Sequence, residues 1–127
     1  DLFCVERHKK NFLELIKNKL DIIFANEQEI LSLTDSKSFD DVINFCKVIN
    51  KNIIITRGEK GAISIKGNEI EECEASKNLK IKDLTGAGDL FAAGYLHGYI
   101  NNFSSKESLA KGTELSAKII QKIGARI

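Results

Sequence analysis

Residues 83–89 read Asp-Leu-Thr-Gly-Ala-Gly-Asp, the most informative stretch of this sequence. Its two glycines and its alanine stand where a loop is expected to turn into a helix, with a carboxylate at each end. Backbone N–H groups at a helix start lack partners inside the helix, and the helix dipole adds partial positive charge there. Such a helix start suits a phosphate group. Because Asp89 would repel that phosphate, its carboxylate makes sense as a base that takes a proton from the attacking group. The stretch therefore predicts a phosphoryl-transfer site.

Two simpler interpretations of the same residues stay open. The glycines also fit a tight turn with close helix packing, and Asp89 also fits compensation of the helix dipole. Two common phosphate-binding patterns do not match: Phe91 occupies the third glycine position of GxGxxG, and no Gly-Lys-Ser/Thr run is present. The small residues Gly94 and Gly98 predict that the following helix packs tightly on its neighbours.

On both sides of this stretch, predicted strands alternate with predicted helices. Short apolar runs at 21–25 and 52–56 are typical of strands buried on both faces in a parallel sheet. This order predicts an α/β layered fold with a mostly parallel sheet and one antiparallel hairpin. The end of a strand is predicted at 2–5, and a hairpin pairs 62–66 with 69–73 across Gly67-Asn68. Helices are predicted over 7–19, 26–33, 39–49, 86–101 and 105–122. Ser38 is the predicted N-cap of the helix over 39–49, and Gly124 is the predicted stop after the last helix.

Two further candidate motifs follow the two buried strands. Ligands of parallel sheets bind at the carboxyl ends of the strands, where residues 26–29 and 56–61 are expected to lie. Residues 26–29 place an amide and a carboxylate one helical turn apart, which fits either a ligand site or a helix cap. Residues 56–61 carry two glycines three positions apart, which fits either a nucleotide contact or a plain turn. His8 and His97 are predicted to be structural or surface residues.

Composition excludes several classes of protein. A net charge of +1 provides no field that would recruit nucleic acid or an anionic membrane. The three cysteines have neither zinc-site spacing nor an even number, so we expect reduced thiols and a cytoplasmic location. The absence of methionine leads us to expect that this sequence is a piece of a larger protein.

Residues 83–89, followed by Phe-Ala-Ala-Gly at 91–94, closely resemble the C-terminal signature of the ribokinase-like (pfkB-type) carbohydrate kinase family. Residues 26–29 and 56–61 match two weaker motifs of that family, in the same order. The likeness is nearest to bacterial adenosine-kinase-like and sugar-kinase members. It implies a three-layer α/β/α fold with a mostly parallel sheet and helices on both faces. Residues 1–127 would form its C-terminal nucleotide-binding and catalytic part, with the N-terminal substrate-binding part and the lid absent.

The resemblance also implies an activity and a set of site residues. The activity is transfer of the γ-phosphate of ATP to a hydroxyl of a sugar or nucleoside, with Mg²⁺ and with K⁺ as a monovalent cation, in a protein that is a homodimer at full length. Asp89 would be the general base, and the N–H groups of Gly86, Ala87 and Gly88 would stabilise charge on the phosphate. The implied ATP-binding residues are Asn26, Thr56, Gly58, Lys60, Gly61, Gly88, Thr113, Ser116 and Ala117. The implied metal-binding residues are Glu29 for Mg²⁺ through water, and Asp83, Thr85, Ile119 and Gly124 for the monovalent cation.

Two other functions fit parts of the same pattern. A non-catalytic nucleotide-binding module would retain the anion-binding loop, but it has no use for the base that Asp89 supplies. A metal-dependent hydrolase would need clustered histidines and carboxylates, which the sequence does not show.

Overall fold

The structure is a computed structural model that describes residues 1–126. It contains helices and a four-stranded sheet, so the predicted α/β class is confirmed. The elements in chain order are α1 (Leu2–Arg7), α2 (Lys9–Asn18), β1 (Ile22–Asn26), α3 (Glu27–Thr34), α4 (Phe39–Ile49), β2 (Asn52–Thr56), a 3₁₀ turn (Gly58–Lys60), β3 (Ala62–Lys66), β4 (Glu69–Cys73), α5 (Ala87–Ile100) and α6 (Ser105–Ile120).

The sheet has the strand order β1-β2-β3-β4. Strands β1 and β2 are parallel, in a register that places Ile22 opposite Asn52 and Asn26 opposite Thr56. The connections from β2 to β3 and from β3 to β4 are too short for a parallel crossover, so these neighbours are antiparallel. The predicted hairpin is confirmed with its bounds. Within the described residues the sheet is therefore mixed, with its parallel pairing at β1 and β2.

The N-terminal segment differs from the prediction. Residues 2–5 form helix α1 rather than the end of a strand, because Asp1 caps the helix by accepting a hydrogen bond from the Cys4 N–H at 3.0 Å. The predicted helix over 7–19 is interrupted at His8, whose φ of −122° and ψ of 27° lie outside helical values. The last helix ends at Ile120 rather than near 122, before the left-handed Gly124.

The chain divides into two compact units, which are residues 1–56 with 64–70, and residues 57–63 with the chain from Glu71 onward. In the first unit, α3 contacts α1, α2 and α4 as well as β1 and β2. Its core is aliphatic, and it includes Cys46, whose thiol pKa burial raises to about 11. That thiol is therefore protonated and unreactive at neutral pH.

The second unit is built on the pair α5 and α6, whose backbones approach closely through glycines. A Cβ on Gly94 would lie 2.6 Å from the Lys111 carbonyl oxygen, and a Cβ on Gly112 would lie 2.7 Å from that of Phe91. The tight packing predicted from the small residues of α5 is confirmed. Among the helices of residues 1–126, none has the length and apolar character needed to cross a membrane.

Candidate functional site

Helix α5 begins without a side-chain cap. Gly86 is its N-cap residue, with a left-handed φ of 79°, and no side chain accepts from the first turn. By contrast, Asn26, Ser38 and Ser104 each cap a helix with a side-chain oxygen. The start of α5 therefore has no side-chain oxygen at the place where an external anion is predicted to bind.

The three small residues at this helix start have different surroundings. A Cβ on Gly86 would lie 3.0 Å from the Ala125 Cβ, and its positive φ already favours glycine. The Ala87 N–H donates to the Leu84 carbonyl at 3.2 Å, so this group, expected to bind phosphate, already has a partner. A Cβ on Gly88 would meet nothing within 4 Å, and its φ needs no glycine. A tight turn accounts for Gly86 but leaves Gly88 without a structural reason.

Asp89 lies in the first turn of α5, and its side chain is exposed. Within the described chain, its carboxylate has neither a hydrogen bond nor an ion pair. Compensation of the helix dipole is consistent with this position. An exposed carboxylate without a partner is also available to accept a proton from a bound hydroxyl.

The carboxylate of Asp83 joins the loop before α5 to the segment after α6. Its Oδ1 accepts from the Thr85 hydroxyl at 2.7 Å and from the Thr85 N–H at 2.9 Å, while its Oδ2 accepts from the Gly124 N–H at 3.0 Å. These hydrogen bonds hold the pKa of Asp83 below its ordinary value. The bond from the Thr85 hydroxyl is the largest cause, followed by the bonds from the Thr85 and Gly124 N–H groups. These contacts define the Asp83 clamp.

Three of the four residues expected to hold a monovalent cation therefore lie together in the Asp83 clamp. The fourth, Ile119, is buried near the end of α6, and its carbonyl accepts from the Lys122 N–H at 3.0 Å. The neighbouring Ile120 carbonyl accepts from the N–H groups of Lys82 and Asp83 at 2.8 and 3.2 Å. Backbone hydrogen bonds thus attach the same loop to the end of α6.

Two of the predicted ATP-binding residues are brought side by side at the strand ends. Asn26 is the last residue of β1 and lies opposite Thr56, the last residue of β2. The Asn26 side chain accepts from the Glu29 N–H at 2.9 Å, and the Asn26 N–H donates to Glu29 Oε2 at 2.9 Å. This is a complete capping box, so the helix-cap interpretation is confirmed. The cap also fixes the orientation of the Glu29 carboxylate at the strand end.

The loop from Arg57 to Gly61 contains two glycines with different requirements. At Gly61, a Cβ would lie 2.0 Å from the Cys73 carbonyl oxygen, and φ is +89°, so packing against β4 accounts for this glycine. Gly58 has φ +58° and open space around its Cβ position. Packing against β4 therefore explains Gly61. A left-handed turn explains Gly58, whose open Cβ position also leaves room for a ligand beside exposed Lys60.

A small cavity near this loop involves Arg57 and Cys73, to which the sequence analysis assigns no role, together with Lys60. Its volume is about 100 Å³, and its lining includes Arg57, Lys60 and Cys73. The Thr113 hydroxyl on α6 donates to Cys73 Sγ at 3.8 Å, and Ser116 and Ala117 are half-buried on the same helix. The turn signal at Gly67-Asn68 could have indicated the position of Cys73, because it predicts that β4 returns beside β3 and ends near the loop.

Metal-binding groups of the zinc type are not found in the described part of the chain. Residues 1–126 place no three histidine, cysteine, aspartate or glutamate side chains where they would hold a metal ion. All three cysteines are free thiols, with Cys4 exposed, Cys46 buried and Cys73 half-buried.

Comparison with known proteins gives consistent relatives. The sequence profile described as pfkB family carbohydrate kinase matches residues 4–127. A cytidine kinase of Thermococcus kodakarensis is 32% identical over 91% of this chain. The solved structure of an adenosine kinase from Sinorhizobium meliloti is 38% identical over all of this chain, with a TM-score of 0.96. The solved structure of a probable sugar kinase from Rhizobium etli is 39% identical over 99% of this chain, with a TM-score of 0.95.

The chain spans less than half of each of these proteins: 42% of the cytidine kinase, 39% of the adenosine kinase and 38% of the probable sugar kinase. Over that span the fold predicted from the motifs is confirmed. The family profile covers nearly the whole chain, including the stretch 83–89. This chain therefore belongs to the pfkB family of carbohydrate kinases.

Proposed function

We propose that the protein containing this chain is an ATP-dependent kinase that transfers the γ-phosphate to a hydroxyl of a sugar or nucleoside. The observation that carries the proposal is the uncapped start of α5, where Gly88 has no structural need to be glycine and Asp89 follows it with an unpartnered carboxylate. The relatives named as cytidine kinase and adenosine kinase support the reaction class.

In the proposed reaction, Asp89 accepts the proton of the acceptor hydroxyl while the hydroxyl oxygen attacks the γ-phosphorus of ATP. The bond from that phosphorus to the bridging oxygen of the β-phosphate breaks, and ADP leaves with the bonding electron pair. The N–H groups of Gly86 and Gly88 stabilise negative charge on the transferred phosphoryl group, since Ala87 is already engaged with Leu84. Phosphoryl transfer depends mainly on positioning and charge stabilisation, so a fixed helix start is suited to it.

The remaining site residues are proposed to bind ATP and its ions. Asn26 and Thr56 form one contact surface at the strand ends, and the open position at Gly58 admits a phosphate close to the backbone. Thr113, Ser116 and Ala117 flank the adenine. When bound, Mg²⁺ would neutralise charge on the phosphates. The oriented Glu29 carboxylate would accept hydrogen bonds from the water molecules that coordinate the ion.

We also propose K⁺ as a cation bound near the Asp83 clamp. A carboxylate has about four lone-pair positions, and three hydrogen bonds leave Asp83 with capacity for one more interaction. The measurement is turnover in K⁺ against Na⁺ at equal ionic strength, with higher turnover expected in K⁺. The cytoplasmic location and the homodimer stay predictions.

The kinase proposal is tested by Asp89→Asn in the full-length protein. We expect kcat to fall by about 10² to 10⁴-fold, the usual contribution of a general base, while the Kd for ATP stays equal or decreases slightly. Both effects have one cause, because the substitution removes the proton acceptor and also a negative charge near the triphosphate.

The matched control is Asp40→Asn, which changes another exposed aspartate in the first turn of a helix. It should leave kcat unchanged. If Asp89→Asn keeps kcat within about threefold of the parent, less than 1 kcal/mol in the barrier, Asp89 is not the base. Tight ATP binding with no turnover on any sugar or nucleoside would instead favour the non-catalytic nucleotide-binding module.

A further inference from the structure

The Thr113 hydroxyl donates its proton to an acceptor outside its own helix. A threonine hydroxyl within a helix commonly bonds to the carbonyl four residues earlier, as Thr34 in α3 does with Ile30 at 2.8 Å. The Thr113 hydroxyl on α6 instead donates to Cys73 Sγ, at the end of β4, at 3.8 Å. The direction of the Thr113 hydroxyl is therefore set by a residue of another element.

The Cys73 thiol can only accept this hydrogen bond, because its own proton is directed elsewhere. Cys73 Sγ donates to the Glu74 carbonyl oxygen at 3.5 Å. A thiol carries one proton, so Cys73 has none left to donate to Thr113. The three residues form a chain of hydrogen bonds with a single direction, from Thr113 through Cys73 to Glu74. We call it the Thr113 chain.

The Thr113 chain decides how the Thr113 oxygen can bind another molecule. A hydroxyl has one proton and two acceptor lone pairs. Because the proton points to Cys73, the half-buried Thr113 oxygen offers only lone pairs to a ligand. It can accept from an N–H group, whereas a carbonyl oxygen at the same place would face a second acceptor and be disfavoured.

The surroundings of Cys73 connect the Thr113 chain with the loop that is proposed to contact ATP. Cys73 lines the cavity of about 100 Å³ together with Arg57 and Lys60. Its carbonyl oxygen is the atom that a Cβ on Gly61 would meet at 2.0 Å. All of these residues belong to the second compact unit. Cys73 therefore contacts the loop through its backbone and α6 through its side chain.

We propose that Cys73 is a positioning residue through which Thr113 selects a purine nucleotide with an exocyclic amino group, such as ATP. A purine nucleotide with an oxo group at the same ring position, such as inosine triphosphate, is disfavoured. The amino group donates to the Thr113 oxygen, whereas the oxo group would face its lone pairs. This inference rests on the proposed function, which places Thr113 beside the base, and it names the group of the base that is recognised.

The experiment compares the Kd values of ATP and inosine triphosphate in the full-length protein, with Mg²⁺ present and without an acceptor. We expect inosine triphosphate to bind about tenfold more weakly than ATP, the usual effect of losing one hydrogen bond. Thr113→Val removes the oxygen at nearly constant shape. Cys73→Ala removes the acceptor that orients it, so the freed hydroxyl can turn and donate to the oxo group. In both variants the ratio of the two Kd values should fall below about threefold.

The matched control is Cys4→Ala, which removes another thiol, one that is exposed on α1. It should keep the parent ratio of Kd values. The ratio also separates positioning from a merely structural role. A variant whose packing is loosened would bind both nucleotides more weakly by a similar factor, and its ratio would stay that of the parent.

Equal Kd values for the two nucleotides in the parent would overturn the inference and leave the proposed reaction class intact. A Cys73→Ala variant that keeps the parent ratio would also overturn it, because the direction of the Thr113 hydroxyl would then not depend on Cys73. If the parent binds neither nucleotide, the proposed function fails together with this inference. The general base is tested separately, by turnover of Asp89→Asn, which does not affect the ratio.

Discussion

Single glycines in this chain meet three different physical requirements. Gly86 has a backbone conformation that disfavours side chains, and Gly61 has a carbonyl oxygen where a Cβ would stand. Gly88 has neither, although a glycine within a helix costs about 1 kcal/mol relative to alanine. The described chain shows no reason for a glycine at this position, and we propose that an anion approaching the start of α5 is the reason.

The Asp83 clamp leads to a prediction about pH. The folded pKa of Asp83 lies below its ordinary value of 3.8, so its carboxylate stabilises the fold above pH 3.8. That contribution is lost as the pH falls through the lowered folded pKa. We therefore expect Asp83→Ala to lower Tm at neutral pH, with a difference from the parent that narrows as the pH falls below 3.8.

Thermal unfolding at several pH values measures this effect. Asp21→Ala serves as the control, because it removes an exposed aspartate whose side chain makes no contact described above. A Tm difference for Asp83→Ala that is the same at neutral pH and near pH 3 would show that the clamp carboxylate is not the cause.

Among the elements, the contact between α5 and α6 depends on backbone packed against backbone. Gly94 and Gly112 meet directly, with a Cβ on Gly94 only 2.8 Å from the Gly112 Cα. Gly98 meets Ser108 in the same way, because its Cβ would lie 2.6 Å from the serine hydroxyl oxygen. Neither contact leaves room for a methyl group.

Two alanine substitutions on α5 should have opposite effects on stability. Gly94→Ala should lower the free energy of unfolding by about 1–3 kcal/mol, because the gain in helix propensity is smaller than the cost of overpacking. Gly88→Ala should raise it by about 0.5–1 kcal/mol, since its Cβ meets nothing. Denaturant unfolding of both variants in the full-length protein measures this.

Gly88→Ala also separates stability from ligand binding. If an anion approaches the backbone at Gly88, the more stable variant should bind ATP less tightly than the parent. A variant that is stabilised and keeps the parent Kd for ATP would contradict the role assigned to Gly88.

Local signals decided which elements could be predicted. Helix α4 and the hairpin of β3 and β4 follow from Ser38, Gly67 and Asn68, whose effects act within a few residues. The strand predicted at residues 2–5 is wrong, because a four-residue apolar run does not distinguish a strand from a helix. The hydrogen bond that the Gly124 N–H donates to Asp83 spans 41 residues. The contact that requires glycine at position 61 is made by Cys73, in another strand. Such tertiary causes leave no pattern in the nearby sequence.

On the scale of the whole molecule, the chain spans only part of the relatives that it matches. It spans 39% of the adenosine kinase that it resembles at a TM-score of 0.96. We expect residues 1–127 alone to phosphorylate ribose, fructose and adenosine with no efficient turnover, because orientation of the acceptor accounts for several kcal/mol of such barriers. ADP release measured with each acceptor tests this, and a normal turnover rate from the chain alone would refute it.

The close contact of α5 with α6 has a consequence for motion. Asp89 lies at the head of α5, and Thr113, Ser116 and Ala117 lie on α6. The close contacts at Gly94, Gly98 and Gly112 leave no space for the two helices to slide past each other, so we expect them to move together. We therefore expect the distance between Asp89 and these residues of α6 to stay constant when other segments of the protein move. If Asp89 is the base, as we propose, closure of the active site would come from segments that move against this pair, and the acceptor would be brought to the base.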